Sequence, residues 1–276
     1  MRIAVAQFSA GMSKPANLER LSALTRSAAE ARARVVVFPE AAMCDFGEKA
    51  TDLHSVAEPL DGRFVRTLSE LAARFEMTVV AGMFESIPAD HLIYNTAVVV
   101  DPVKGLVGTY HKRHLFDAFG EIESERFRPG SEDPLLVEID GFSVAVVICY
   151  DIRFASFIER AADGGAELLL APAAWVAGPL KEEHLSVLAR ARAIDNTMFV
   201  AVGGQTGVGY TGRSAIVDPL GASLAGLGDQ EGIAVAEISH ERLKAARDRL
   251  PVLAQRRSAR STEAGAVRVP AAPSRP

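Results

Sequence analysis

The chain is poor in cysteine. Cys44 and Cys149 are its only two in 276 residues. They form no CxxC pair, which removes the common zinc spacings. A chain of this length can bury most of its apolar surface in one core, so disulfides are not needed to hold it. There is no basic excess either: 30 Lys and Arg face 35 Asp and Glu, for a net charge of −5. A dedicated nucleic-acid binder would carry the opposite bias, so no nucleic-acid partner is expected. Long apolar runs are missing, which excludes a membrane-spanning helix. The opening residues Met1-Arg2-Ile3-Ala4-Val5-Ala6-Gln7-Phe8-Ser9 turn polar too quickly for a signal peptide. Two free thiols in such a chain fit a reducing cytoplasm. What remains is ordinary globular composition, 49% hydrophobic and 24% charged.

Hydrophobic periodicity predicts mixed strands and helices. Residues 2–8 read as a buried strand. Asn17 to Ala33 has helical spacing, with Leu18, Leu21, Leu24 and Ala28 on one face. Arg34 to Phe38 is a short β-branched run stopped by Pro39, and Asp61 to Phe75 reads as a helix. Three strands follow, Met77 to Phe84, Ile93 to Asp101 and Leu106 to His111. A long aperiodic segment runs from Lys112 to Pro134, the kind of loop that is usually functional. Leu135 to Ile139 and Phe142 to Ile148 are expected as strands across an Asp140-Gly141 turn. Helices are expected at Ile152 to Asp163, Lys181 to Asn196 and Ser239 to Arg249, the last with Ser239 as N-cap. Further strands are expected at Glu167 to Ala171, Met198 to Val202, Gly212 to Val217 and Gly232 to Ile238. The pattern argues for a two-sheet α/β layer structure in one domain over residues 1–257. The tail 258–276, rich in Ser, Ala, Arg and Pro, is expected to be disordered or draped over a partner.

Gly207-Val208-Gly209-Tyr210-Thr211-Gly212 matches G-x-G-x-x-G. The dinucleotide reading requires a helix to open at the last glycine, so that its N-terminus meets a pyrophosphate. The next residues, Arg213-Ser214-Ala215-Ile216-Val217-Asp218-Pro219, form a strand and a turn, so the motif is read as a loop.

Three places break a local rule. In Val35-Val36-Val37-Phe38-Pro39-Glu40 a carboxylate directly follows a buried strand and a proline. A carboxylate in such low-dielectric surroundings is suited to proton transfer, though Glu40 could equally be the first exposed loop residue. In Tyr110-His111-Lys112-Arg113-His114-Leu115-Phe116-Asp117 a lysine stands at a strand end. It could favour a neighbouring thiolate or stabilise an oxyanion, or belong to a solvated basic turn. His111 and His114 leave open a Cys-His pair. The third place is Val144-Ala145-Val146-Val147-Ile148-Cys149-Tyr150-Asp151-Ile152-Arg153-Phe154, where a buried strand ends at a thiol and a helix is expected two or three residues on. Backbone N–H groups and the positive helix end there favour a thiolate and an oxyanion. A buried thiol is also ordinary core filling, which is how Cys44 is read. The nucleophile elbow of α/β-hydrolases needs small residues two positions either side. Val147 and Asp151 do not suit it.

With those residues in view, the chain resembles the nitrilase, or carbon–nitrogen hydrolase, superfamily from Met1 to about Arg257. The resemblance rests on Phe38-Pro39-Glu40, on His111-Lys112-Arg113-His114-Leu115-Phe116-Asp117 and on Ile148-Cys149-Tyr150-Asp151-Ile152-Arg153-Phe154, supported by Tyr94-Asn95-Thr96 and by the run from Ala189 to Asn196. It implies an α/β fold, a four-layer αββα sandwich of two mixed β-sheets flanked by helices, assembled as a homodimer or higher homo-oligomer. It implies Glu40 as general base, Lys112 as oxyanion stabiliser and Cys149 as nucleophile, with Glu123 as a second glutamate and Glu121 and Glu125 as competitors. The look is that of the omega-amidase and deaminated-glutathione amidase branch, which acts on small amides bearing a free carboxylate.

The expected reaction is amide hydrolysis through a cysteine thioester with release of ammonia, needing no metal and no cofactor. Tyr150 is expected to offer its backbone N–H to the oxyanion. Arg153 is the candidate partner for the substrate carboxylate, or else a structural partner of Asp151 or Glu159. Trp175 is expected to shape the pocket wall. The chain departs from the branch in reading Arg153-Phe154-Ala155-Ser156 where Arg-Phe-Pro-Glu is usual, which leaves the pocket open to a carbamoyl amine, an aliphatic amide or a nitrile. A non-catalytic scaffold is the reading from another class, and the intact Glu40, Lys112 and Cys149 oppose it.

Overall fold

The computed structural model describes residues 1–131 and 133–265, with only the backbone described for 260–265. The first half of the chain runs β1 (Arg2–Gln7), α1 (Lys14–Glu30), β2 (Val35–Val37), α2 (Arg63–Phe75), β3 (Thr78–Ser86), β4 (Ile93–Asp101) and β5 (Gly105–His111). The second half runs β6 (Leu135–Ile139), β7 (Phe142–Val146), α3 (Ala155–Asp163), β8 (Leu168–Ala173), α4 (Lys181–Asn196), β9 (Phe199–Gly204), β10 (Ala215–Val217), β11 (Ser223–Gly226), β12 (Gly232–Glu237), α5 (His240–Arg249) and α6 (Val252–Gly265).

Two six-stranded mixed sheets result, in the orders β12-β1-β2-β3-β4-β5 and β11-β10-β9-β8-β7-β6. In each, three parallel strands are flanked by antiparallel ones. Side-chain alternation builds the layers. On β1, Ile3 and Val5 join the core shared with the second sheet, while Ala4 and Ala6 face a separate core. That second core is filled by Leu21 and Ala28 of α1 and by Phe64, Leu68 and Leu71 of α2. The second sheet meets α3 and α4 through Phe157, Ile158, Leu185 and Ala189. The result is the expected αββα sandwich, a helix-sheet-sheet-helix stack in which the central strands of both sheets are buried on both faces.

Several expectations shift in detail. The buried stripe of α1 is Asn17, Leu21, Thr25 and Ala28, with Leu18 and Leu24 only half-buried at its margins. Two polar residues are tolerated there because their bonds close locally. The Asn17 amide donates to the Gly11 and Met43 carbonyls, and the Thr25 hydroxyl donates to the Leu21 carbonyl. The edge strand β11 had no sequence signal, being four residues paired across a bulge. Ser239 caps α5 as expected, accepting from the Arg242 N–H. The tail expected to be disordered or draped from residue 258 begins inside α6, which is helical through Gly265. Residues 266–276 of that expectation lie outside the described residues.

Candidate active site

Glu40, Lys112, Cys149 and Ala174 all stand just past the carboxyl ends of strands, at β2, β5, β7 and β8 respectively. This is the end of an open α/β sheet where ligands collect. Glu40 and Lys112 come from the first sheet, Cys149 and Ala174 from the second. The mating of the two layers therefore assembles the site.

Glu40 is 1% exposed. Its Oε1 accepts from Lys112 Nζ at 2.7 Å and from Asn95 Nδ2 at 2.7 Å, and its Oε2 accepts from the Ala174 N–H at 2.8 Å. The backbone that carries it is pinned. Pro39 and Phe38 exchange bonds with Gly82 and Val80 of β3, and Gln205 Nε2 donates to the Glu40 carbonyl. Gly82 is required by this approach, since a Cβ there would lie 2.6 Å from the Glu40 Cα.

Lys112 is almost fully buried between two carboxylates. Its Nζ lies 2.8 Å from Glu123 Oε2 and 2.7 Å from Glu40 Oε1. Burial works against its charge, but Glu123, Glu40 and Cys149 outweigh it and hold the lysine well above its ordinary range. It is a permanent cation. Glu123 sits on a single 3-10 turn, Glu123–Glu125, inside the long loop. It also accepts from Asn95 Nδ2 and the Phe116 N–H. Of its competitors, Glu121 lines the cavity without touching Lys112 and Glu125 is exposed. Asn95 bridges both glutamates, and among the described residues its own Oδ1 has no hydrogen-bond partner.

Cys149 has a left-handed backbone, φ +45°, a conformation rare for a residue with a side chain. The cause lies two residues on. Asp151 is fully buried and accepts four bonds: from the Ile148 N–H, Tyr110 OH, the His114 N–H and His114 Nδ1. These tie the turn to β5 across the sheets and fix the thiol's direction. Burial, then the charge of Asp151, pushes the Tyr110 hydroxyl far above its usual range, so it stays a donor.

Two expectations are corrected here. The turn beginning at Cys149 is a five-residue 3-10 helix and α3 opens only at Ala155, so the thiol does not face the end of a long helix. Nor is a resting thiolate favoured. Burial, then the nearby Glu40 charge, raises the thiol well above its ordinary range, and Lys112 only partly opposes this. The Cys-His pair is not built. His114 is bound to Asp151 and stacked on Phe154, and His111 is bound to Glu85 and stacked on Tyr94.

The thiol, both glutamates and Lys112 open into one cavity of about 270 Å³, whose walls include Phe116, Tyr150, Trp175, Lys181 and Tyr210. Tyr150 and Trp175 both line this cavity. Arg153 does not. It lies over the Trp175 ring at 4.8 Å and the Tyr150 ring at 5.7 Å, outside the cavity lining. It does not bond Asp151 either, whose oxygens are filled by Tyr110, His114 and Ile148. Lys181, which the sequence reading missed, lines the cavity instead. Its only signal was a lysine opening a predicted helix just after Trp175. Among the described residues no cluster of three or more His, Cys, Asp or Glu is arranged to hold a metal, and no helix is long and apolar enough to cross a membrane.

A buried thiol, two carboxylates and an ammonium meet at the mouth of a two-sheet sandwich. The carbon-nitrogen hydrolase family pattern matches residues 2–248, and the chain belongs to that family, whose enzymes act on carbon–nitrogen bonds other than peptide bonds. A hydrolase of Mycobacterium tuberculosis (strain CDC 1551 / Oshkosh) is 40% identical over 274 residues, covering 92% of this chain and 94% of its own. The deaminated glutathione amidase of Escherichia coli O157:H7 is 35% identical over 259 residues, covering 94% and 98%. Among solved structures, a carbon–nitrogen hydrolase superfamily protein of Xanthomonas campestris, with an arsenic adduct in its active site, superposes with a TM-score of 0.82. It is 28% identical and covers 92% of this chain and 96% of its own.

Proposed function

We propose that the protein hydrolyses a small carboxylate-bearing amide through a thioester on Cys149, releasing ammonia. One observation carries this reading: Lys112 Nζ lies within 2.8 Å of both Glu40 and Glu123 at the cavity that Cys149 enters. A thiol held protonated beside a carboxylate calls for a general base. Glu40 takes the thiol proton as Sγ bonds to the amide carbon. The carbonyl oxygen becomes an oxyanion held by Lys112 and the Tyr150 backbone N–H. Glu40 then returns the proton to the amide nitrogen, the C–N bond breaks and ammonia departs. Water enters, gives a proton to Glu40 and attacks the thioester carbon. The C–S bond breaks, the acid leaves, and Glu40 reprotonates the thiol. Glu123 keeps Lys112 charged and in place throughout.

The choice of an amide with an anionic end is supported by the 35% identity to a deaminated glutathione amidase and by a cavity wall that carries a cation. Ammonia release across a panel of short amides, with and without a terminal carboxylate, tests it. Cys149→Ala should abolish release, and mass spectrometry of a quenched wild-type reaction should show an acyl adduct on Cys149. Turnover surviving in that variant would sink the assignment. Residence in the cytoplasm and assembly as a homodimer or larger homo-oligomer belong to the same proposal. Two buried free thiols fit a reducing compartment. Val187 and Ile194 leave apolar surface exposed on α4 for a helical interface. Light scattering that returned only the 29.4 kDa chain mass would remove the oligomer.

A further inference from the structure

We propose that Lys181 is the residue that selects the substrate, by holding its anionic end against the aromatic wall of the cavity. The inference rests on the amidase reading above and names a group that reading lacks.

Lys181 is 3% exposed and opens α4. Its Nζ sits 4.7 Å from the Phe119 ring, 4.8 Å from Phe116 and 4.9 Å from Trp175. Among the described residues no carboxylate pairs with this ammonium and no oxygen accepts from it. The acidic residues of the cavity are placed differently. Glu40 and Glu123 hold Lys112, Asp45 accepts from Tyr210 OH and the Gly47 N–H, and Glu121 does not reach Lys181. The other long cation on the wall, Arg126, already donates to the Phe46 carbonyl.

Three features around Lys181 work against a resting positive charge. Burial removes water. Arg153 lies over the same Trp175 ring. The first turn of a helix is its positive end, where cations are disfavoured. Burial and then Arg153 lower the lysine from its ordinary range, with Cys149 opposing them. The three rings offer a partial substitute for water. The chain also bends against its preference to put the lysine there. Leu180 is left-handed at φ +58°, and Trp175 Nε1 anchors the turn by donating to the Lys181 carbonyl. A buried, unpaired ammonium aimed into a catalytic cavity is a site awaiting an anion. A carboxylate seated there gains a charge-assisted bond and supplies the partner the fold withholds. An uncharged amide gains neither.

The test compares glutaramate with the uncharged hexanamide. In wild type, kcat/KM should favour glutaramate. Lys181→Met keeps the stem among the rings and removes the charge. It should reduce that preference about ten- to a hundredfold, with the loss in KM. Lys181→Arg should restore part of it. An equal loss on both amides in Lys181→Met, or no recovery with arginine, would overturn the proposal. A second arm is independent of turnover. In Cys149→Ala protein, calorimetry with glutarate should show binding that Lys181→Met weakens at least about tenfold, and unchanged binding would overturn it too. Wild type that releases ammonia from neither amide refutes the small-amide reading above, while the glutarate arm still decides Lys181.

Discussion

Cys149 holds a backbone angle that costs a non-glycine residue about 1–2 kcal/mol, and Asp151 is the counterweight. Replacing Asp151 with asparagine keeps the shape but loses an anionic acceptor for Tyr110 and His114. We expect kcat to fall about tenfold or more with KM little changed, the signature of an interaction needed in the transition state. A destabilised variant with kcat unchanged would mean that Asp151 holds the turn without setting the thiol's position. Glu40→Gln asks a different question. The thiol is raised well above 9.0, so near neutrality it keeps its proton and needs a base. The variant should lose about 10²–10⁴-fold in kcat. Its residual rate should climb with pH, because only hydroxide is left to ionise Cys149. A pH–kcat profile that stays flat to high pH would count against Glu40 as base.

At the same scale, the sequence was informative where a chemical residue type interrupts a strong local pattern. Glu40 after a strand and a proline, Lys112 at a strand end and Cys149 closing an apolar run were all visible in this way. The Asp151-Tyr110-His114 tie, the Ala174 N–H on Glu40 and the Asn95 bridge were not. They join residues from different elements, and hydrogen bonds across a fold leave no periodic trace. Arg153 was named and Lys181 missed because proximity in sequence to Cys149 stood in for proximity in space. Trp175 separates the two readings: both cations lie over its ring, but only Lys181 lines the cavity.

Among the elements, strands read as apolar runs were placed within a few residues, and β4 (Ile93–Asp101) and α4 (Lys181–Asn196) match their expected bounds. Burial on both faces makes such strands conspicuous. The helix after Cys149 was expected too early because a 3-10 turn and a helix carry the same composition. Gly82 shows how closely β3 must pass the loop of Glu40. A Gly82→Ala change forces the two backbones apart, since its Cβ would stand 2.6 Å from the Ala41 nitrogen. Overpacking of this kind costs about 1–3 kcal/mol. Thermal melting should show that loss, and kcat should fall with it because Glu40 is displaced. An unchanged kcat in a destabilised variant would mean the loop of Glu40 is not set by β3.

For the whole molecule, the buried titratable groups predict weakness in alkali. Burial holds the thiol of Cys44 up at about 11, against an ordinary 9.0. Cys149, Tyr110, Tyr210 and Lys112 are likewise raised, from ordinary values of 9.0, 10.0, 10.0 and 10.5. In the unfolded chain these groups release protons from about pH 9 upward, while the native state still keeps them. The native state then binds more protons than the unfolded one, so stability falls as pH rises. The contribution is complete below pH 9 and is lost above it. Lys181, whose range is lowered, has the opposite sign but is a single group against five. Urea midpoints should fall steeply between pH 9 and 11, and midpoints that hold constant would contradict the protonated interior.

The proposed base and nucleophile belong to different sheets, and the strand that closes the first sheet, β12, arrives from the far end of the chain. A cut beside the exposed Asp133 would leave Glu40 and Lys112 on one piece, and Cys149, Ala174 and β12 on the other. Each piece alone should be silent. Mixed, they should recover ammonia release as β12 pairs with β1, which would make the enzyme a reporter of its own reassembly.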